Sequence, residues 1–191
     1  MQIALLDGTR QKAVSGAEGV CPLCGASVLA RCGDVNAHHW AHESLNECYG
    51  EPETEWHAEW KGRFEMEFVE VVHGPHRADV LYKGTVYEFQ SKPLPAVEMN
   101  ERGKYWSDLG YRFIWIINMR ESAENLVINV HAGYVSFRWK WPKRRLEGVA
   151  HTVMLDIGED YPLLQMKKVH WGEKVGGWGK WVTLTELFHT L

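Results

Sequence analysis

Apolar positions along the chain change period several times, and each change marks an element. Residues 2–13, QIALLDGTRQKA, flank Asp7-Gly8 and predict a β-hairpin. From Glu53 to Phe68, Trp56, Trp60, Phe64 and Phe68 recur every four residues, one apolar stripe of a helix that starts near Pro52. After Gly74-Pro75, HRADVLY and TVYEFQS read as strands joined by Lys83-Gly84. AVEMNERGKYWSDLGY has helical spacing, with Glu98, Arg102, Tyr105, Trp106 and Leu109 on one face and Gly110 as its stop. RFIWIIN is apolar from Phe113 to Ile117, as in a strand buried on both faces. Further strands are predicted at 125–130, 151–157 and 163–170. TLTELFHTL reads as a short helix capped by Thr183, and the GGWGKW before it as a flexible loop. The order helix, strand, strand, helix, strand describes a compact α/β core.

Composition narrows the class. The 191 residues are 45% hydrophobic and 24% charged, globular proportions that exclude wholesale disorder. No apolar run approaches the ~20 residues that cross a bilayer, and MQIALLDGTR lacks a basic, then apolar, leader. A cytoplasmic, reducing setting without membrane contact is therefore expected. The net charge of −4 argues against coating nucleic acid by bulk charge, but not against a local basic face. Ten Trp and ten His are many for this length and direct attention to stacking, metal binding and acid/base chemistry.

The first such site lies among the cysteines. Cys21-x2-Cys24 followed by His39-x2-His42 in HHWAH gives the four ligands of a tetrahedral, structural zinc site. His38 is the alternative to His39. Cys32 and Cys48 lack partner spacing and read as small buried residues. A hairpin-plus-zinc module over 1–50 gains from the metal the stability that its small core lacks.

Carboxylates mark a second site. Asp79 and Glu88 flank the Lys83-Gly84 turn at comparable distances, so a hairpin brings them near each other, and Gln90 shares the Glu88 face. Such a pair can hold a hard divalent cation, or can be two exposed hairpin carboxylates; spacing leaves both open. Farther on, FRWKWPKRR alternates Arg138 and Lys140 with Trp139 and Trp141, then adds Lys143, Arg144 and Arg145. An extended strand would put charges on one face and indoles on the other: a phosphate-tracking edge, an amphipathic core strand, or both.

CPLC with HHWAH, EWHAEWK, HRADV, YEFQS, ERGKY and FIWIIN together resemble the competence protein CoiA-like family over residues 1 to 120. The resemblance implies an α/β, restriction-endonuclease-like (PD-(D/E)xK) core with a mixed sheet, preceded by the zinc module. The nuclease-like domain is expected at 51–191, with the motifs of the resemblance in 53–120 and, beyond them, a β-rich extension at 121–191. It also implies that Asp79 and Glu88 bind catalytic Mg or Mn and that Glu55 completes the metal shell. His57, Lys61, Glu98, Arg102 and Tyr105 would line the same cleft. Gln90 stands where most of the wider superfamily has Lys; Lys61 or Lys92 can supply the missing charge. The implied activity is hydrolysis of DNA in uptake, recombination or defence, with protein partners in DNA processing. The alternative is a catalytically weak or inactive adaptor that binds DNA or a partner.

Overall fold

The computed structural model describes residues 1–33, 38–43, 48 and 54–189. The chain divides into two compact units, Met1–Lys83 and Gly84–Leu191. The boundary expected at 50/51 and the Pro52 helix start lie outside the described residues.

In the first unit, β1 (Ile3–Leu6), β2 (Thr9–Lys12), β3 (Glu18–Val20), β4 (Ser27–Arg31) and β5 (His39–His42) form an antiparallel sheet in the order β2-β1-β3-β4-β5. Asp7 and Gly8 both have positive φ, 49° and 76°, which makes the β1–β2 connection the tight hairpin turn that Asp-Gly favours. Ala4, Ala13, Cys21, Val28 and Trp40 form the small core. The Trp40 indole N–H donates to the Gln11 carbonyl at 3.0 Å, which satisfies its polar edge.

The helix expected over Glu53–Phe68 is shorter. α1 spans Glu55–Lys61, and the Thr54 hydroxyl caps it by accepting the His57 backbone N–H. Trp56 and Trp60 are buried as the stripe requires. Beyond Gly62 the backbone tightens, with Phe64 N–H donating to the Lys61 carbonyl at 3.1 Å, and a single 3-10 turn follows at Met66–Phe68. Phe64 and Phe68 therefore leave the stripe and pack edge-on against Tyr82. A strand absent from the sequence reading comes next: β6 (Val69–His73) pairs antiparallel with β7 (His76–Tyr82) across Gly74-Pro75.

The second unit contains β8 (Thr85–Gln90), α2 (Ala96–Asp108), β9 (Arg112–Asn118), β10 (Leu126–His131), β11 (Tyr134–Trp139), β12 (Thr152–Asp156), β13 (Leu163–Trp171), β14 (Val175–Val182) and α3 (Leu184–His189). Its strands lie in the order β10-β11-β14-β13-β12-β9-β8. β9 runs parallel to β8 and β12, whereas the other pairings are antiparallel, so the architecture is mixed α/β. α2 is the crossover between parallel β8 and β9. Phe113 to Ile117 of β9 are all buried, as their continuous apolarity predicts.

Two expectations change here. α2 buries Met99, Gly103 and Trp106, while Leu109 is exposed, so the core face lies about one position from the expected one. The His151 ring occupies the space a Cβ on Gly103 would need, and α2 approaches closely there. The second change concerns GGWGKW, which is not a loop but the middle of β14, between β11 and β13. A Cβ at Gly177 would overlap the Lys168 backbone carbonyl, so glycine lets the strands approach. Gly177→Ala is expected to destabilise the second unit by about 1–3 kcal/mol through this overpacking, read from chemical melts. Thr183 caps α3 as expected: its hydroxyl accepts the Glu186 N–H at 3.2 Å, and the Glu186 carboxylate accepts the Thr183 N–H at 2.8 Å.

Candidate functional site

The Cys21–Cys24 segment is a tight turn. Gly25, at φ 73°, donates to the Cys21 carbonyl at 2.9 Å, and Cys21 N–H donates to the Ala26 carbonyl at 2.8 Å. This turn directs both thiols toward His42 of β5 and toward Cys48. The ligand atoms of Cys21, Cys24, His42 and Cys48 all lie within 4.8 Å of one another. Cys21 Sγ is 3.7 Å from Cys48 Sγ, and Cys24 Sγ is 3.3 Å from His42 Nε2. A tetrahedral zinc with Zn–S bonds of about 2.3 Å spaces its sulfur ligands about 3.8 Å apart, so the four atoms fit such an ion.

The ligand set expected from spacing is thereby corrected at one position. Cys48 stands where His39 was expected, and His38, just before β5, is likewise outside the cluster. His-x2-His suits a helix, where three residues span nearly one turn. Here the two histidines sit on a strand, and side chains an odd number of residues apart point to opposite faces. His42 shares its face with buried Trp40; His39 takes the other.

The charges of the set favour a metal. Burial lowers the His42 pKa, helped by Arg77 and the N-terminal ammonium, which keeps the imidazole neutral and able to ligate. Burial and the neighbouring Cys24 and Cys21 push the Cys48 thiol up to about 12. Although desolvation opposes it, the Ala26 backbone and the two neighbouring thiols pull Cys24 below its usual value. Crowded thiols cannot all ionise without a cation among them, and a bound zinc deprotonates its thiols outright.

A second cluster in the same unit centres on Glu70, which the sequence reading missed. Glu70 is fully buried on β6. Its carboxylate accepts the backbone N–H of Gln2 at 2.8 Å and of Ile3 at 3.0 Å, and the Lys61 ammonium at 3.0 Å. Burial alone would raise its pKa. Lys61, Arg77, the N-terminal ammonium and the Gln2 N–H outweigh that and hold the carboxyl well below the usual range. Arg77 is held above its ordinary value against its own desolvation, chiefly by Glu70 and Asp79. Lys61, only 4% exposed, also lies 3.0 Å from Asp79 Oδ1. Of the first-unit residues expected in a cleft, Lys61 and Asp79 are thus in contact. His57 Nδ1 pairs with the Thr54 hydroxyl at 2.7 Å, and Glu55 is exposed on the first turn of α1.

In the second unit, Glu88 and Gln90 are both buried on β8. Arg102 of α2 lies 3.8 Å from Glu88 Oε2 and 2.6 Å from Glu98 Oε1, which gathers three of the expected residues. Tyr105, one turn on, packs edge-on against Trp106. The Gln90 amide donates to the Lys92 carbonyl at 3.1 Å. The basic stretch is not one extended edge. β11 ends at Trp139, which is buried, while Trp141 is 69% exposed. Arg138 and Lys140 are exposed. Lys143 donates to the Asn118 carbonyl at 2.9 Å, and burial beside Arg145 lowers its pKa to about 8. Arg144 donates to the Gly172 carbonyl at 2.9 Å, and with Arg145 it opens the 3-10 turn Arg144–Leu146.

A small module that brings three thiols and one imidazole within 4.8 Å of one another can hold a metal ion, a donor set consistent with structural zinc. Residues 9–50 match the family model described as "Competence protein CoiA, N-terminal domain". The chain is CoiA-like through that domain, and the match does not extend over the α/β region that follows. No curated protein and no solved structure matches the chain. No helix among the described residues is long and apolar enough to cross a membrane.

Proposed function

We propose that this CoiA-like chain is a metal-dependent nuclease that hydrolyses DNA phosphodiester bonds, in DNA uptake, recombination or defence against foreign DNA. One observation carries the reading: the Lys61 ammonium, almost wholly buried, lies 3.0 Å from the Asp79 carboxylate. A desolvated ammonium is expensive for a fold to retain. In the nuclease reading it would supply the point charge that Gln90 lacks.

In this reading the oxygen donors of Asp79 and Glu88 take Mg or Mn, both hard ions suited to carboxylates. The bound ion would activate a water and neutralise charge on the departing group. Lys61 holds a fixed positive charge beside Asp79, where it offsets negative charge that builds up on the phosphate. Gln90, a neutral amide, orients rather than charges its neighbours. Glu55, His57, Glu98, Arg102 and Tyr105 position the strand, and Arg138, Lys140, Lys143, Arg144 and Arg145 contact it.

A second reading, an adaptor that binds DNA or a partner without cleaving, is favoured by one observation: an N–H of the Gln90 amide is engaged by the Lys92 carbonyl. Incubation of the zinc-loaded protein with single-stranded, duplex and branched DNA plus Mg or Mn separates the two. The nuclease reading expects cleavage that falls at least about 100-fold in Asp79→Asn and in Glu88→Gln. Binding without cleavage by the parent protein would establish the adaptor instead.

A further inference from the structure

The second unit carries an outer sheet face that the zinc set does not use and whose rows share only Arg138 with the proposed nuclease residues. Cross-strand register sorts its residues into two rows across β10, β11, β14 and β13. One row runs Val127, Arg138, Gly176, His170, and the next runs Asn129, Ser136, Trp178, Lys168. Partners in register share a face, and the alternate positions Val135, Phe137, Trp139 and Val175 are buried on the opposite one. On the outer face Trp178 and Tyr134 are each 44% exposed. Tyr134 is stacked on His131 at 4.5 Å with a 13° tilt, and His131 Nε2 is fixed by the Ser136 hydroxyl at 2.9 Å. Tyr134 and His131 are thus held as a stacked pair on this face, with Trp178 exposed in the second row.

The charged side chains of these two rows are of one sign. Arg138 and Lys168 are exposed, His170 lies beside them, and the two rows contain no carboxylate. Lys180, next but one to Trp178 on β14, is exposed and faces Glu186 of α3. Rows along a strand repeat every two residues, about 6.8 Å, comparable to the reach of one nucleotide in an unpaired strand. Gly176 removes the side chain between Arg138 and His170, which leaves bare backbone against which a base can lie.

From these rows we infer that the outer face of β10-β11-β14-β13 binds single-stranded DNA, with bases stacked on Trp178 and Tyr134 and phosphates met by Arg138 and Lys168. Aromatic platforms on an open antiparallel sheet recognise unpaired bases because every base offers a stacking face, while a duplex hides those faces. The inference shares the DNA substrate and Arg138 with the proposed function but does not rest on its cleavage step, since a strand bound here need not be cut.

The test is fluorescence anisotropy of labelled dT20, rU20 and a 20-base-pair duplex with the full, zinc-loaded chain and no added Mg or Mn, so that hydrolysis does not intervene. Binding of dT20 in preference to duplex is expected. Trp178→Ala should weaken it about tenfold or more, and Trp178→Phe should recover most of the loss. Arg138→Gln should lower the slope of log affinity against log salt by about 0.7, one phosphate on a single strand. Tyr161→Ala, an exposed aromatic away from the face, should change nothing. Failure to bind dT20, equal binding by a folded Trp178→Ala variant, or equal binding of duplex would overturn the proposal. Preference for rU20 would overturn its assignment to DNA. Failure of cleavage in the nuclease assay leaves each of these outcomes readable.

Discussion

Replacing Glu70 with alanine is expected to cost the first unit about 3–5 kcal/mol, a large share of an ordinary domain's stability. The loss has two sources. The Lys61 ammonium, 4% exposed, would keep only Asp79 of its two carboxylate partners, and the backbone N–H groups of Gln2 and Ile3 would lose their acceptor. Glu70 also holds a left-handed backbone, φ 51°, a conformation that costs a side-chain-bearing residue about 1–3 kcal/mol. The native contacts evidently exceed that cost.

Charge and shape can be separated by pH. The Glu70 carboxyl is held below the usual range in the folded state, whereas an unfolded glutamate titrates near about 4.3. Its stabilisation is therefore complete above about pH 5 and is lost progressively as the pH falls below the unfolded value. Urea melts from pH 7 to pH 3 should show this decline in the parent chain and a flatter one in Glu70→Gln. Because Lys61→Met with Glu70→Gln removes both buried charges, the double variant should recover part of the single variant's loss. A Glu70→Gln chain as stable as the parent at pH 7 would contradict this account.

Removal of the metal ligands is the second large effect. One zinc per chain is expected by elemental analysis. It should be lost or greatly weakened in Cys48→Ser as in Cys24→Ser, but retained in His39→Ala. Structural zinc in small modules contributes an apparent ~10–16 kcal/mol, which becomes folding free energy. A core of five small or single large side chains offers little to replace it. Chelation should therefore broaden or abolish the melt of the first unit. Zinc retained by Cys48→Ser and lost by His39→Ala would restore the ligand set that spacing alone suggested.

These two clusters also show what the sequence made legible. Asp7-Gly8 and Lys83-Gly84 were readable because two-residue hairpins demand positive φ, and Lys83 and Gly84 adopt it at 47° and 74°. The buried run of β9 was readable from its unbroken apolarity, and the α3 N-cap from Thr183 at its start. β14 was hidden because its glycines signal a loop when read locally, although they serve strand–strand approach. Cys48 was hidden for a different reason: it lies 24 residues beyond Cys24, outside any short motif. Glu70 gave no local signal, because its backbone partners Gln2 and Ile3 lie 68 and 67 residues away and Lys61 belongs to a different element. The α1 stripe was read through Gly62 because period alone does not report where a helix tightens and ends.

The bond from the Gln2 N–H to Glu70 spans 68 residues, and that separation has a consequence for synthesis. At ~5–20 residues per second, about 3–14 s pass between the making of β1 and the appearance of its carboxylate partner. During that interval the first strand has its hairpin partner β2 but lacks the group that satisfies its leading amides. Order in the N-terminal module is thus postponed until β6 has emerged, and metal capture before that point would have to proceed on an unfinished scaffold. A nascent chain halted before Glu70 should be open to proteolysis near its start, and one halted well beyond it should resist.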